Sequence, residues 1–221
     1  MIIKSKPLPL YMLKFFGWLS GVVFNFRCSK LIVEDIELKP GHSYLYMANH
    51  FSFWDGFWAF YVFRKTFLKK HNMKRLYIMS LKKQMEKNKW LRYIGSFSVD
   101  PGKRSIQESF EYAAEILSEP GNMLLFYPQG KLESCYIRYI KFDEGLYEIV
   151  PQIKGDCQLI WASTTAEYFE HLSPVVHNTM LDCGTNHEFD FEALKKKVNE
   201  FHLKAIQRNI RYTDEPITYN F

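Results

Sequence analysis

What the chain lacks narrows its chemistry first. It has only 4 cysteines in 221 residues, and Cys28, Cys135, Cys157 and Cys183 stand far apart, with no Cys-x-x-Cys pair and no Cys/His cluster of zinc-site spacing. Reduced thiols in a cytosolic compartment are expected, and no metal. Glycine is sparse at 11 residues, and none of it forms a glycine-rich run after a strand, so no nucleotide cofactor is implied. No Pro/Gly/Ser-rich linker divides the chain. No helix-turn-helix, RNP-type or OB-type signal appears, which argues against nucleic acid as a partner.

Acidic residues are missing from one region. Between Arg64 and Arg92 stand eleven Lys and Arg, among them Lys69, Lys70, Lys82, Lys83, Lys87 and Lys89, against Glu86 as the single acid, although the whole chain carries only +5. Such a block makes a local positive field suited to anionic lipid headgroups, a phosphorylated substrate or an acidic carrier protein. Trp90 and Tyr93 interleave with it, as suits a membrane–water interface.

Long apolar runs are also scarce. The segment Pro7 to Phe26 is strongly apolar but is broken by Lys14, Gly17 and Gly21, and is marginal for a span of about 20 apolar residues. A helix lying in one leaflet is expected, with a buried core helix as the alternative. The simplest division is residues 1–30 as an N-terminal membrane-associating segment and 31–221 as one catalytic domain, long enough for a substantial α/β core.

The remainder alternates between periods of two and of about 3.6. Leu31 to Val33, Ser43 to Ala48, Leu76 to Ser80, Phe97 to Val99, Met123 to Tyr127, Leu159 to Ala162 and Val175 to Leu181 read as strands. Phe57 to Phe67, Lys82 to Tyr93, a stretch carrying Ile106, Phe110, Ala113, Ala114 and Leu117 on one face, and Asp190 to Ile210 read as helices. Ser105-Ile106-Gln107-Glu108 fits a capping box. This order predicts an α/β fold: a mostly parallel sheet covered by helices.

Two histidine–aspartate pairs share one spacing. In Asn49-His50-Phe51-Ser52-Phe53-Trp54-Asp55, the pair falls where an apolar strand turns into a helix, so that a neutral imidazole can take a proton from a hydroxyl while the carboxylate fixes its tautomer. No serine or cysteine stands beside it in an obvious nucleophile motif, so direct activation of a bound acceptor is favoured over a covalent intermediate. The second pair, His177 and Asp182, lies inside a predicted strand, where positions five apart point to opposite faces. A third candidate is Pro128-Gln129-Gly130 at the end of a buried strand, where α/β sheets place ligand contacts. Gly130 lets the backbone approach a substrate, and Gln129 and Ser134 offer hydrogen-bonding groups.

Taken together, Asn49-His50-x4-Asp55, Gly95-Ser96-Phe97-Ser98-Val99-Asp100 and Phe126-Tyr127-Pro128-Gln129-Gly130, in that order, resemble the glycerolipid acyltransferase family that includes lysophosphatidic acid acyltransferases, over about Leu31 to Pro174. The resemblance implies a glycerol-3-phosphate acyltransferase-like fold with an N-terminal hydrophobic helix, at the cytoplasmic face of a bacterial membrane. It implies acyl-CoA or acyl carrier protein as donor and a lipid hydroxyl as acceptor, with His50 and Asp55 catalytic. Asn49, Gln129, Gly130, Ser134 and Lys82 are then expected at the substrate, with donors near Gly130 stabilising the oxyanion.

Two departures bear on the acceptor. The arginine with which typical members end the second motif is absent after Asp100, leaving Lys103 or Arg104 to replace it, without the same fork if lysine. The third motif has Gln129 where relatives carry glutamate and Leu132 where they carry arginine. A phosphate-free acceptor, such as an amino-acid lipid, a glycolipid or a pigment hydroxyl, is the alternative to a lysophospholipid, and a non-catalytic lipid- or carrier-binding relative is the further one.

Overall fold

A computed structural model describes residues 1–68, 73–168 and 170–208. Lys69 and Lys70 of the basic block, and residues 209–210 of the expected last helix, lie outside them.

The fold is organised by strands that are apolar on both faces. In β2 (Ser43–Ala48), Tyr44, Tyr46 and Ala48 enter one apolar layer while Leu45 and Met47 enter the other, the alternation of a strand covered on both sides. β1 (Lys30–Val33), β3 (Arg75–Leu81), β4 (Ser96–Val99), β5 (Asn122–Phe126), β6 (Cys157–Glu167) and β7 (Val175–Thr185) complete a seven-stranded sheet of order β1-β7-β6-β2-β5-β3-β4. Every neighbouring pair is parallel except the consecutive β6 and β7, which are antiparallel.

Helices cover each face. α1 (Leu10–Arg27) and α2 (Asp55–Val62), the latter running into a wider helical turn at Phe63–Phe67, pack on the layer holding Tyr44, Tyr46, Phe63 and Phe67. α3 (Lys82–Lys87) follows β3. α4 (Ile106–Leu117), the short α5 (Gly145–Ile149) and α6 (Phe191–Arg208) flank the layer of Met47, Phe97, Leu117 and Trp161. The N-terminal residues lie along edge strand β4: Ile3 N–H donates to Ser98 Oγ at 2.7 Å, and Ser98 N–H to the Ile3 carbonyl at 3.0 Å. That pairing covers an edge otherwise open to association.

α1 is a helix with two unlike faces. Gly17 and Gly21 let it approach α2 and the turn after it closely; a Cβ on Gly17 would lie 2.9 Å from Arg64 Cβ and 3.1 Å from the Phe60 carbonyl. The other face presents Tyr11, Phe15, Trp18, Val22 and Phe26, the last 88% exposed. Among the described residues no helix is long and apolar enough to cross a membrane.

Three local expectations are corrected. The Ser105–Glu108 capping box does not form: Ser105, just before α4, has helical backbone angles (φ −69°, ψ −5°) and makes no side-chain cap bond, and Glu108 Oε2 accepts the Ile2 N–H at 3.2 Å. The basic segment expected as one helix over Lys82 to Tyr93 divides at Asn88, whose backbone leaves helical space (φ −122°, ψ 72°), and resumes as a tighter 3-10 turn over Lys89–Ile94. β6 and β7 each run to 11 residues, since Ser163, Thr164 and Thr165 stay in the ladder despite their polarity.

Candidate active site

β2 and β5 lie side by side and in register, Met47 opposite Phe126. The chain leaving β2 toward His50 therefore emerges beside the chain leaving β5 through Tyr127 and Pro128. Long-range strand order, rather than the spacing of either motif, brings the first and third motifs together.

His50 and Asp55 form a contact pair. His50 Nδ1 donates to Asp55 Oδ2 at 2.9 Å, and the same oxygen accepts the backbone N–H groups of Phe51 at 2.8 Å and Ser52 at 2.9 Å. Asp55 is 6% exposed and opens α2, where the helix dipole favours a negative charge. With Nδ1 directed at the carboxylate, Nε2 has no hydrogen-bond partner among the described residues, and His50 lines the large cleft. This orientation fits a base whose tautomer is set from behind. The imidazole also stacks on Tyr127, centroids 4.1 Å apart and planes 16° from parallel. Burial, then the charges of Asp55 and Tyr46, push the Tyr127 phenol well above its usual range, so it stays neutral.

The third-motif turn clasps the His50 backbone from both sides. His50 N–H donates to Gln129 Oε1 at 2.7 Å, while Glu133 N–H donates to the His50 carbonyl at 2.8 Å. Gln129 Nε2 closes the ring by donating to Glu133 Oε2 at 2.5 Å. That bond, with Lys131 beside it, lowers the Glu133 carboxyl below its ordinary value. An amide at position 129 satisfies an N–H donor and a carboxylate acceptor together, which a second carboxylate would not. Glu133 thus explains the departure at Gln129.

The cleft has a volume of about 1,110 Å³ and runs from His50 across the ends of β3, β4 and β5 to α4 and α5. Its walls are largely apolar, with Ile78, Met79, Leu91, Val99, Phe110 and Phe126 among them. Phe53, Trp54, Phe57 and Trp90 form a chain of ring contacts 5.5–6.5 Å apart near the histidine. The charged lining comprises Lys131, Lys141, Asp143, Glu144 and Glu148, with no arginine. Such a space suits an acyl chain lying beside a polar reacting end.

Other expected site residues are placed differently. Asn49 is 2% exposed, and its amide exchanges hydrogen bonds with the Thr164 backbone at 2.9 and 2.8 Å, tying β2 to β6 instead of facing the cleft. Gln129 is 4% exposed and fully engaged as described. Gly130 does line the cleft, at φ +64°, but its N–H donates to the Tyr127 carbonyl at 3.1 Å, so that amide is not turned toward an oxyanion. Ser134 Oγ accepts the Tyr136 N–H at 3.2 Å, Lys82 Nζ reaches the Met1 carbonyl at 3.3 Å, and neither lines the cleft. Lys103 and Arg104 lie in the turn before α4, also outside its lining. Among the described residues no cluster of His, Cys, Asp and Glu is arranged to hold a metal ion.

Residue-type reasoning passed over Tyr127, Glu133 and Asp143. The carboxylate of Asp143 lies over Gly130, where a Cβ would sit 2.1 Å from Oδ2. Tyr127 and Glu133 stood inside or beside a motif already singled out, and a hydrogen-bond inventory of that motif is the signal that finds them.

Fold and site together define an α/β protein with a histidine–aspartate pair at the carboxyl end of the parallel strands of a mixed sheet, beside an apolar cleft. The Acyltransferase family model matches residues 30–161, more than half of the chain, and the chain belongs to that family. Among solved structures, the 1-acyl-sn-glycerophosphate (LPA) acyltransferase PlsC from Thermotoga maritima is similar in fold, with a TM-score of 0.61 at 16% identity, covering 92% of this chain and 82% of that one. A search among curated proteins returned no match.

Proposed function

We propose that the protein transfers a fatty acyl group from an acyl thioester, on coenzyme A or acyl carrier protein, to the hydroxyl of a lysophospholipid or related lipid. One observation carries this reading: His50 Nδ1 is held by Asp55 at 2.9 Å while the ring borders an apolar cleft of about 1,110 Å³. In this reading His50 Nε2 takes the acceptor's hydroxyl proton as the oxygen attacks the thioester carbonyl carbon. The tetrahedral intermediate then breaks its C–S bond, and the imidazolium returns the proton to the departing thiolate. Asp55 keeps the imidazole in its tautomer and offsets the imidazolium charge.

The exposed apolar face of α1 supports a monotopic association with one leaflet, and the lysines of α3 support attraction to the anionic cytoplasmic surface. The acceptor would then enter from the bilayer and the donor from water.

A second reading of the acceptor is favoured by the cleft's charge. Its lining holds two lysines against three carboxylates and no arginine, and Lys103 and Arg104 stand outside it. A phosphate dianion finds no bidentate partner there, so an acceptor without phosphate, such as a monoacylated amino-acid lipid, fits the lining better than lysophosphatidic acid.

Purified protein on anionic vesicles, given acyl-CoA or acyl carrier protein thioester and a panel of lysophosphatidic acid, lysophospholipids and monoacylated amino-acid lipids, tests both readings by thiol release and product mass. An acyl ester of one acceptor is expected, with a faster rate on the phosphate-free one under the second reading. No thiol release from folded protein with any acceptor would leave a non-catalytic lipid-binding relative.

A further inference from the structure

Bordered by Asp55, and sharing Tyr127 with the cleft wall, lies a second and much smaller space. It has a volume of about 10 Å³ and is lined by Tyr46, Asn49, Asp55, Trp58, Tyr127 and Thr164 together with a few apolar neighbours. That is about the room one water occupies, and a buried water also needs two to four polar partners.

The partners are present. Trp58, 8% exposed, has its indole Nε1–H buried with no acceptor among the described residues, a costly state for a donor in an apolar interior. All three hydrogen bonds on Asp55 among the described residues fall on Oδ2, and none falls on Oδ1. Tyr46 Oη accepts from Asn178 Nδ2 at 3.4 Å, which leaves its own proton to give. The Tyr127 phenol, neutral and within the field of Asp55, borders the same space. The indole cannot easily turn elsewhere, because Tyr61 stacks on it at 5.1 Å and Phe24 of α1 meets it edge-on at 5.3 Å.

We propose that this cavity binds one ordered water that joins the Trp58 indole N–H to the Asp55 carboxylate, and that Trp58 is thereby a positioning residue for the His50–Asp55 pair. The water accepts from Trp58 Nε1 and gives one proton to Asp55 Oδ1, so that both carboxylate oxygens are held: one by His50 and two backbone amides, the other through the water. The carboxylate plane is then fixed, and with it the direction in which His50 presents Nε2. The inference about catalysis rests on the reading of His50 as the base; the water site itself does not.

Two experiments on the full-length protein test it. A crystal structure at a resolution that shows solvent is expected to contain one density peak within hydrogen-bond distance of both Trp58 Nε1 and an Asp55 oxygen; a dry cavity, or a protein acceptor taking the indole proton, would overturn the proposal. Trp58→Phe keeps an aromatic ring and removes the donor. It is expected to lower kcat about tenfold, the cost of one lost buried hydrogen bond, with KM for the acyl donor within twofold of the parent. Folded Trp58→Phe protein with an unchanged kcat, or a loss carried entirely by KM, would overturn the positioning role. If the variant does not fold, the density test on the unaltered protein still decides the water. If His50→Ala leaves thiol release intact, the assignment of the base fails instead, and the density test still reports on the cavity.

Discussion

His50–Asp55 and His177–Asp182 have the same sequence spacing and opposite surroundings. At the first pair the chain leaves a strand, bends and enters a helix, so the imidazole and carboxylate meet at 2.9 Å with two backbone amides on the same oxygen. At the second, both residues lie within β7, in register with Thr165 and Ile160 of β6, and an odd separation along a strand turns them to opposite faces. Asp182 Oδ1 accepts the Gly184 N–H at 2.9 Å instead. A spacing of five therefore brings the two side chains together only where the backbone reverses between the two residues.

The comparison breaks most sharply at the carboxylate. Asp55→Asn keeps the size of the side chain and removes its charge, so the imidazole loses both its tautomer and its counter-charge; a fall of about a thousandfold in kcat is expected, measured as thiol release. Asp182→Asn should leave the rate within twofold, and a loss there comparable to that of Asp55→Asn would put the second pair back in contention.

A third histidine sharpens the contrast through pH. His202 is fully buried, hydrogen-bonded to Ser163 Oγ at 2.9 Å and to the Ile137 carbonyl at 3.0 Å, and burial lowers its pKa to about 4. Because the unfolded imidazole binds its proton first, near its ordinary value of 6.5, stability from this residue is present above that pH and is lost as pH falls from there toward about 4. The loss expected in denaturant titrations is about 3 kcal/mol. A variant carrying His202→Gln should show a flatter profile over that window; an unchanged profile would remove His202 as the cause.

The third-motif turn clasps the first pair at His50. Gly130→Ala would bring a Cβ to 2.1 Å from Asp143 Oδ2 at φ +64°, and a loss of about 2 kcal/mol is expected, read as a lower melting temperature. A smaller effect, about 1 kcal/mol, is expected for Gln129→Glu, which sets a carboxylate against Glu133. One of the two carboxyls is then raised in the folded state, so the variant's deficit should grow as pH rises above the usual carboxylate range and shrink in acid. A deficit independent of pH would mean that Glu133 and position 129 do not oppose each other.

Much of this was legible from residues alone, for identifiable reasons. β2 has the bounds its apolar run predicts, because every residue in it is buried. β6 runs past its apolar segment with Thr164 Oγ1 accepting from Asn178 Nδ2 at 2.6 Å across the ladder, and β7 continues past Leu181 because Asp182 and Thr185 pair with Ile160 and Gln158 of β6, pairings that local hydropathy does not register. In the candidate site, the meeting of His50 with Asp55 and the turn at Gly130 were visible from spacing and turn chemistry. The stacking of Tyr127 on His50 depends on β5 lying beside β2, and the contact of Glu108 with Ile2 on a partner 106 residues away. Neither is written in any local window. Polarity alone points Asn49 and Gln129 toward a substrate; in the fold both are buried, Asn49 bonded to the Thr164 backbone and Gln129 to the His50 N–H and Glu133.

The most direct test of the account compares two alanine variants in one assay. Thiol release from acyl thioester in the presence of the acceptor that the unmodified protein uses should fall to background in His50→Ala and stay within twofold in His177→Ala, both proteins retaining their melting temperature. Equal rates in the two variants would contradict the claim that His50, held by Asp55, activates the acceptor.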